Sequence, residues 1–410
     1  MSSEDLSVDY LLRNARVGET PQSVDIAIDK GLVKEIDHHL ELRPREEWNL
    51  NGSVVLPGFV DAHVHLDKTF STTFNKSGTL QEAIDTWREE KPHLTYEGYA
   101  ARMMQAMQVA VVKGTTHLRT HVDIDSESGF AALEAMLDVR EKFRHRIDVQ
   151  VVALGQAGLN DEETQAMQAA LEMGADLVGG APALLPEPKK SIDVIFALAE
   201  RYSKSIDLHV DETEDPNTLT LEYLAEKTIG HGMQGLVTAG HCCSLAFVDD
   251  ATADRVIEKV KEAKLHIITL PSVNLVLMGR GTNPVARGLT RVKELLGAGV
   301  NVAAASDNVR DPFNPLGNYD LLHTANLTAH AAHMTGASEL EVCLNMITSN
   351  AAELMGLENY GLFEGGKADL VVVDAVNVMN TLAGVPERLA TFKNGELIVR
   401  TEIHRTWRDM

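Results

Sequence analysis

The chain has 410 residues, of which 44% are hydrophobic and 24% charged, and its formal net charge is −23 at pH 7. This length suits several domains, or one large barrel with an accessory piece, and the composition is that of an ordinary globular protein. The strong negative charge argues against a main function in binding nucleic-acid phosphates or anionic membranes.

Short strand patterns occupy both ends of the chain. The N-terminal patterns cover residues 8–13, 24–29 and 32–37, and the C-terminal ones cover 368–374 and 390–399. The last pattern is a hairpin that turns at Asn394-Gly395. Chain termini often lie close together, and two separate sheets would have few strands each. We therefore predict one small composite β-sandwich domain built from residues 1–56 and 361–410.

Between these segments, apolar strand patterns alternate with helical patterns. The predicted strands are 54–63, 116–121, 148–154, 176–179, 205–210, 235–240, 265–270 and 300–305. The predicted helices between them are 97–113, 129–144, 161–173, 190–203, 217–230, 250–263 and 287–297. Eight such units indicate a (β/α)8 TIM barrel over residues 57–360, an α/β fold. A doubly wound open sheet is the alternative, but no glycine-rich phosphate loop follows the first strand.

An excursion after the first barrel strand covers residues 75–95. It contains a helical pattern at residues 80–90 that carries Trp87. At a barrel mouth, such an insertion acts as a lid or as a wall of the pocket.

Polar side chains that can bind metals or substrates follow most of the predicted strands. In chain order they are His63, His65, His121, Asp123, Gln156, His209, Asp211, Glu212, His241, Asp307 and Asn308. The active sites of TIM barrels form at these strand ends. Residues two apart in a strand point to the same side, and neutral imidazole is the commonest metal ligand. The pattern therefore predicts a metal site at the barrel mouth.

These motifs resemble a known family. Four of them, in their order along the chain, resemble the amidohydrolase superfamily of metal-dependent barrel hydrolases. They are His63-Val64-His65, His209, His241 and Ser306-Asp307. The resemblance covers nearly the whole chain, including the split sheet domain. Within that superfamily, the sequence resembles the cytosine deaminase branch at residues 120–123, 150–156, 209–212, 279–280 and 311–317.

The resemblance implies that one divalent metal ion, Zn²⁺ or Fe²⁺, is held by His63, His65, His209 and Asp307. No lysine follows the fourth strand to bridge two ions, so we expect a single one. Such a mixed ligand set, with room for water, suits a catalytic site. The ion would lower the pKa of a bound water towards ~7 and supply hydroxide.

The resemblance also implies catalytic and substrate-binding roles. His241 would polarise the water, and Asp307 would accept its proton. Glu212 would protonate a ring nitrogen and help ammonia to leave. Gln156 would hold the amide-like edge of the substrate, and the substrate site would also include Trp87 and Phe313.

Two positions depart from the cytosine deaminase pattern. Asn308 replaces an aspartate, and Lys68 replaces a threonine. Both changes resemble hydrolases that remove isopropylamine from N-isopropylammelide, whereas Glu212 resembles the deaminases. We therefore expect deamination of cytosine or a related aminopyrimidine, with N-dealkylation of an aminotriazine as the alternative. A non-catalytic protein on the same barrel is a third possibility, since fold alone does not give function.

The remaining features predict the setting. Cys242, Cys243 and Cys343 are too few for a disulfide framework, and the N-terminus has no signal-peptide pattern. No apolar run approaches the ~20 residues of a membrane helix. We expect a cytoplasmic homo-oligomer with a small-molecule substrate and no nucleic-acid or membrane partner.

His121 and Asp123 are interpreted as supports behind the predicted metal site rather than as metal ligands.

Overall fold

The structure is a computed structural model, and it describes residues 7–18, 22–71, 75–126 and 128–408. The strands within these ranges are β1 (Ser7–Ala15), β2 (Val24–Asp29), β3 (Leu32–Asp37), β4 (Arg43–Asn49), β5 (Val54–Pro57), β6 (Phe59–Val64), β7 (Thr115–Ile124), β8 (Asp148–Gly155), β9 (Leu177–Gly180), β10 (Ser205–Val210), β11 (Val237–His241), β12 (His266–Thr269), β13 (Val302–Ala304), β14 (Leu370–Val373), β15 (Arg388–Lys393) and β16 (Glu396–Arg400). The α-helices are α1 (Leu80–Glu90), α2 (Tyr96–Val112), α3 (Ala131–Phe143), α4 (Asp161–Met173), α5 (Pro188–Tyr202), α6 (Thr220–Gly230), α7 (Asp250–Glu262), α8 (Pro271–Leu277), α9 (Val292–Gly297), α10 (Leu321–Ala331), α11 (Ala337–Asn345), α12 (Ser349–Leu354) and α13 (Val378–Gly384).

The two ends of the chain form a β-sandwich. One described sheet has the order β3-β2-β1-β4, and the other has the order β16-β15-β14-β5. Apolar side chains from both sheets share one core, among them Ile28, Val55, Leu370 and Phe392. The predicted composite sandwich is therefore confirmed, while the domain boundaries at residues 56 and 361 stay a prediction.

The predicted hairpin at Asn394-Gly395 joins β15 to β16. Both residues have positive φ, 50° and 77°, as a two-residue turn between twisted strands requires. Glycine is also needed at position 395 because an added Cβ would lie 2.7 Å from the Cα of Gly31.

Strand β4 was not predicted. Its sequence, Arg-Pro-Arg-Glu-Glu-Trp-Asn, lacks an apolar face, and most of its residues are exposed. It pairs with β1 alone, at the edge of the first sheet. An edge strand tolerates proline and polar residues on both faces, which removes the alternation used for prediction.

The middle of the chain forms the predicted TIM barrel. Strands β6 to β13 are parallel, and each pairs with its neighbour in chain order. The circle closes where the Asp307 backbone N–H donates to the His63 carbonyl oxygen over 2.8 Å. Seven of the predicted barrel strands are present, but the first, 54–63, is divided: Val54–Pro57 (β5) belongs to the sandwich, and only Phe59–Val64 (β6) lies in the barrel. The closure brings residues 63 and 307 together at the carboxyl ends of β6 and β13.

Most helices agree with the prediction, but the one expected at 287–297 is shorter. Only α9, Val292–Gly297, is helical. Before it, Gly288 has φ +77°, and the Arg291 guanidinium donates to the carbonyls of Leu245 and Val248. Helix α8, between β12 and β13, was not predicted. In the described part of the chain, no helix is long and apolar enough to cross a membrane.

Candidate active site

The four predicted metal ligands meet at the mouth of the barrel. His65 Nε2 lies 3.0 Å from His209 Nε2 and 3.3 Å from Asp307 Oδ1. His63 Nε2 lies 3.7 Å from the same carboxylate oxygen. His63 and His65 come from β6, His209 from β10, and Asp307 from the turn after β13. Strand geometry thus brings together residues up to 244 positions apart in the sequence.

The chemistry of this cluster fits a divalent cation. Among the described residues, both ring nitrogens of His63, Nδ1 of His209 and both oxygens of Asp307 are buried with no hydrogen-bond partner. Leaving buried polar atoms unpaired costs free energy. Burial holds the pKa of His63, His65 and His209 well below the ordinary 6.5. Their neutral imidazoles are in the form that binds a metal.

His121 belongs to the same cluster. Its ring centroid lies 4.1 Å from that of His63, and its Nε2 lies 3.5 Å from Asp207 Oδ1. Ligand-capable nitrogens of His63, His121 and His209 all lie within 4.8 Å of one another. A carboxylate behind a histidine is typical of metal sites. The geometry therefore admits His121 as a further ligand as well as the support that the sequence analysis predicted.

The predicted catalytic residues Glu212 and His241 lie in contact beside the cluster. Glu212 Oε1 is 3.3 Å from His241 Nδ1, and His241 Nε2 is 3.9 Å from Asp307 Oδ2. Burial raises the pKa of Glu212 to about 8 and lowers that of His241 to about 3. Near neutral pH the carboxyl is therefore protonated and the imidazole neutral.

Asn274 on α8 sets the tautomer of His241, and the sequence analysis missed it because α8 itself was not predicted. The Asn274 amide donates to His241 Nδ1 over 3.0 Å. Since Nδ1 then accepts, the ring proton lies on Nε2 and faces Asp307. His241 and Asp307 both have positive φ, 67° and 58°, and such backbone strain clusters at functional sites.

A cavity of about 450 Å³ opens onto this cluster. All five predicted substrate-binding residues line it: Lys68, Trp87, Gln156, Asn308 and Phe313. His65, His209, Glu212 and His241 line the same cavity. A larger cavity of about 1,080 Å³ lies against the sandwich, and its lining includes none of these residues. The smaller cavity is therefore the candidate active site.

Lys68 is held by protein carboxylates. Its Nζ lies 2.6 Å from Asp123 Oδ1, 3.1 Å from Asp67 Oδ2 and 3.5 Å from His65 Nδ1. Burial alone would lower the pKa of this ammonium group, but the two carboxylates raise it above its ordinary value. The lysine is thus charged and fixed behind a predicted metal ligand, and its contact with substrate stays a prediction.

The excursion at 75–95 forms one wall of the cavity. Helix α1 contributes Trp87, whose indole N–H donates to Asp123 Oδ2 over 2.8 Å. Just after α1, Lys91 Nζ lies 2.5 Å from Asp125 Oδ2. Both carboxylates come from the end of β7 and its turn, so α1 is tied to the barrel by polar contacts. Whether the excursion also closes as a lid stays a prediction.

The barrel and its cluster of histidines with a carboxylate define a class, that of the metal-dependent barrel hydrolases. Comparison with known proteins gives the family. The family model described as "Amidohydrolase family" matches residues 72–399. The chain therefore belongs to the amidohydrolase family, as its motifs predicted, and is a hydrolase that acts on C–N bonds.

Three relatives are similar over nearly their full length. N-isopropylammelide isopropyl amidohydrolase from Pseudomonas sp. strain ADP is 33% identical over 96% of this chain and 98% of its own. Pterin deaminase from Rhizobium rhizogenes strain K84 is 32% identical over 92% of this chain and 88% of its own. The structure of 5-methylcytosine deaminase from Klebsiella pneumoniae, liganded with phosphonocytosine, has a TM-score of 0.91 at 33% identity and covers 97% of this chain and 100% of that one.

Proposed function

We propose that this amidohydrolase deaminates an amino-substituted nitrogen heterocycle, with cytosine or a related aminopyrimidine as the substrate class. The main observation behind this proposal is the position of Glu212, whose buried carboxyl lines the cavity next to His241 and the predicted metal ligands. The similarity to a 5-methylcytosine deaminase and a pterin deaminase supports this proposal. We further propose one ion, Zn²⁺ or Fe²⁺, held by His63, His65, His209 and Asp307.

When bound, the divalent ion would acidify a water molecule and so supply the nucleophile at neutral pH. His241 has its Nε2 proton on the side of Asp307 and orients that water by hydrogen bonding. Asp307 accepts the proton that the water loses. Glu212, protonated near neutral pH, donates to the ring nitrogen beside the amine-bearing carbon as the C–O bond forms. Asp307 then passes its proton to the amine, and the new hydroxyl gives its proton to Glu212 as the C=O bond forms. The C–N bond breaks to release ammonia, and the proton that Glu212 donated first stays on the ring nitrogen of the product.

Recognition of the ring would use the amides that line the cavity. Gln156, at the end of β8, is exposed to the cavity and offers one donor and one acceptor edge. The Asn308 amide N–H donates to Asp311 Oδ2 over 2.7 Å. This bond turns the amide oxygen of Asn308 to other partners, so it can accept from an N–H of the substrate. Trp87 and Phe313 supply aromatic walls.

N-dealkylation of an aminotriazine is the second candidate function. Lys68 and Asn308 favour it, as does the 33% identity to an N-isopropylammelide amidohydrolase. The attack on the ring carbon is the same, and only the leaving amine differs. The two functions are separated by the product, ammonia or an alkylamine.

The test uses protein reconstituted with zinc or ferrous iron. It is assayed for ammonia and alkylamine release from cytosine, 5-methylcytosine, isocytosine, ammelide and N-alkyl aminotriazines. Glu212→Gln should lower kcat by roughly 10²- to 10⁴-fold, because the proton donor is lost. Glu226→Gln, at an α6 carboxylate that is 51% exposed and outside the cavity, is the matched control. Equal activity in Glu212→Gln and wild type would overturn the proposal.

We also propose that the protein acts as a homo-oligomer in the cytoplasm. The support for this location is the small number of cysteines, three, which is too few for a disulfide framework and suits a reducing compartment. Light scattering of the purified protein tests the assembly, and cell fractionation tests the location.

A further inference from the structure

One side of the cavity has an apolar lining. We call this the apolar annex, and it consists of Ile84 from α1, Leu154 from β8, and Leu184 and Leu185 from the segment after β9. None of these residues has a role in the chemistry proposed above. Their presence in the same cavity therefore requires a separate account.

The barrel order places the apolar annex to one side of the reacting centre. The predicted metal ligands follow β6, β10 and β13, and His241 ends β11. Strands β8 and β9 contribute none of these residues, and they lie opposite β12 and β13 in the circle of strands. Because the leaving amine must face Glu212, His241 and Asp307, the opposite edge of a bound ring faces the annex.

The surface of the apolar annex is partly exposed and uncharged. Leu184 is 58% exposed, and the other three residues are only partly buried. Two cations in the cavity lining pair with carboxylates: Lys91 contacts Asp125, and Arg88 contacts Asp85. Apolar side chains that remain accessible inside a concave site are typical of ligand contacts.

The volume also exceeds what a single ring requires. Cavities of roughly 300–1,000 Å³ bind drug-sized ligands, and this one measures about 450 Å³. A single six-membered ring held by Gln156 and Asn308 would leave the apolar annex filled with water. Burying a hydrocarbon group there would release that water and favour binding.

We propose that the preferred substrate carries an apolar substituent of several carbon atoms on a ring atom, and that this substituent fills the apolar annex. The inference rests on the proposed function and specifies its substrate class. It differs from the dealkylation alternative, in which the alkyl group sits on the leaving nitrogen. The substituent would here stay on the product.

The experiment uses the metal-reconstituted protein and cytosines that carry methyl, propyl or pentyl groups on ring C6, which is not bonded to the amine-bearing carbon and leaves the ring N–H free. Ammonia release gives kcat/KM, and calorimetry gives the affinity for the matching alkyluracils, which are the products. Both quantities should rise by about fourfold for each added methylene until the annex is filled. Leu184→Ser should flatten this rise. Leu236→Ser is the matched control, at a leucine that is 51% exposed and outside the cavity, and it should keep the rise.

The outcomes separate the inference from the proposed function. Turnover of cytosine with no gain from longer ring substituents would overturn the inference and leave the deaminase proposal standing. Product affinity that rises with chain length and flattens in Leu184→Ser, without ammonia release, would support the annex and overturn the deaminase. Gains confined to cytosines alkylated on the exocyclic amine, with alkylamine release, would overturn the inference and favour dealkylation.

Discussion

The charge state of Glu212 can be tested through the stability of the metal-free protein. The side chain is 16% exposed, and burial raises its pKa from the ordinary 4.5 to about 8. Below pH 4.5 the carboxyl is protonated in both the folded and the unfolded chain. As pH rises, the unfolded chain loses this proton first, so the free energy of unfolding falls until the folded carboxyl also ionises near pH 8.

The size of the effect follows from the pKa difference. At about 1.4 kcal/mol for each pKa unit, the full loss is about 5 kcal/mol, and about 4 kcal/mol of it falls between pH 5 and 9. Glu212→Gln cannot ionise and escapes this loss. Over that range the unfolding midpoint of the variant should therefore rise relative to wild type by roughly 5 °C for a chain of this length.

The assay is thermal unfolding followed by circular dichroism, from pH 5 to 9, in the presence of a chelator. Glu226→Gln controls for the loss of one surface carboxylate. Adding zinc should shrink the difference between variant and wild type, because a nearby cation favours the carboxylate. A difference in midpoint that stays constant from pH 5 to 9 without metal would refute the burial argument.

Three further predictions concern the metal and the α1 wall. Asp123→Asn weakens the hydrogen bond from the Trp87 indole, which is worth about 1.5–3 kcal/mol with a charged acceptor. Hydrogen exchange in α1 should therefore accelerate roughly tenfold or more. The control Asp85→Asn, on the exposed side of α1, should change the exchange rate little. His209→Asn should lower metal affinity at least about tenfold, as read by elemental analysis, whereas His323→Asn, at an exposed position of α10, should retain the ion. Chelation should lower the unfolding midpoint by roughly 5 °C, since an ion present at ~1,000 times its Kd adds about 4 kcal/mol to the free energy of unfolding. An unchanged midpoint after verified metal removal would contradict a bound ion in the folded protein.

The sequence predicted much of the fold because the barrel repeats one simple unit. Buried parallel strands are short, mostly apolar runs such as 300–305, and active-site residues lie at or just after the carboxyl end of each run. His63, His209 and Asp307 could therefore be assigned to one mouth without coordinates. The prediction failed where that pattern is absent, as in β4, which is polar on both faces, and before α9, where Arg291 caps carbonyls instead of continuing a helix.

The sequence by itself determined the barrel, the sandwich from both termini and the residues that meet at the mouth, since strand periodicity and strand ends are local properties of the chain. Only the tertiary structure decided what surrounds those residues: the carboxylates that hold Lys68, the Asn274 amide that sets the tautomer of His241, the position of His121 beside the predicted ligands, and the apolar annex. These depend on contacts between elements far apart in the chain, such as Trp87 with Asp123. Spacing within one element carries no information about such contacts, because burial, pairing and cavity shape arise only when the elements pack together.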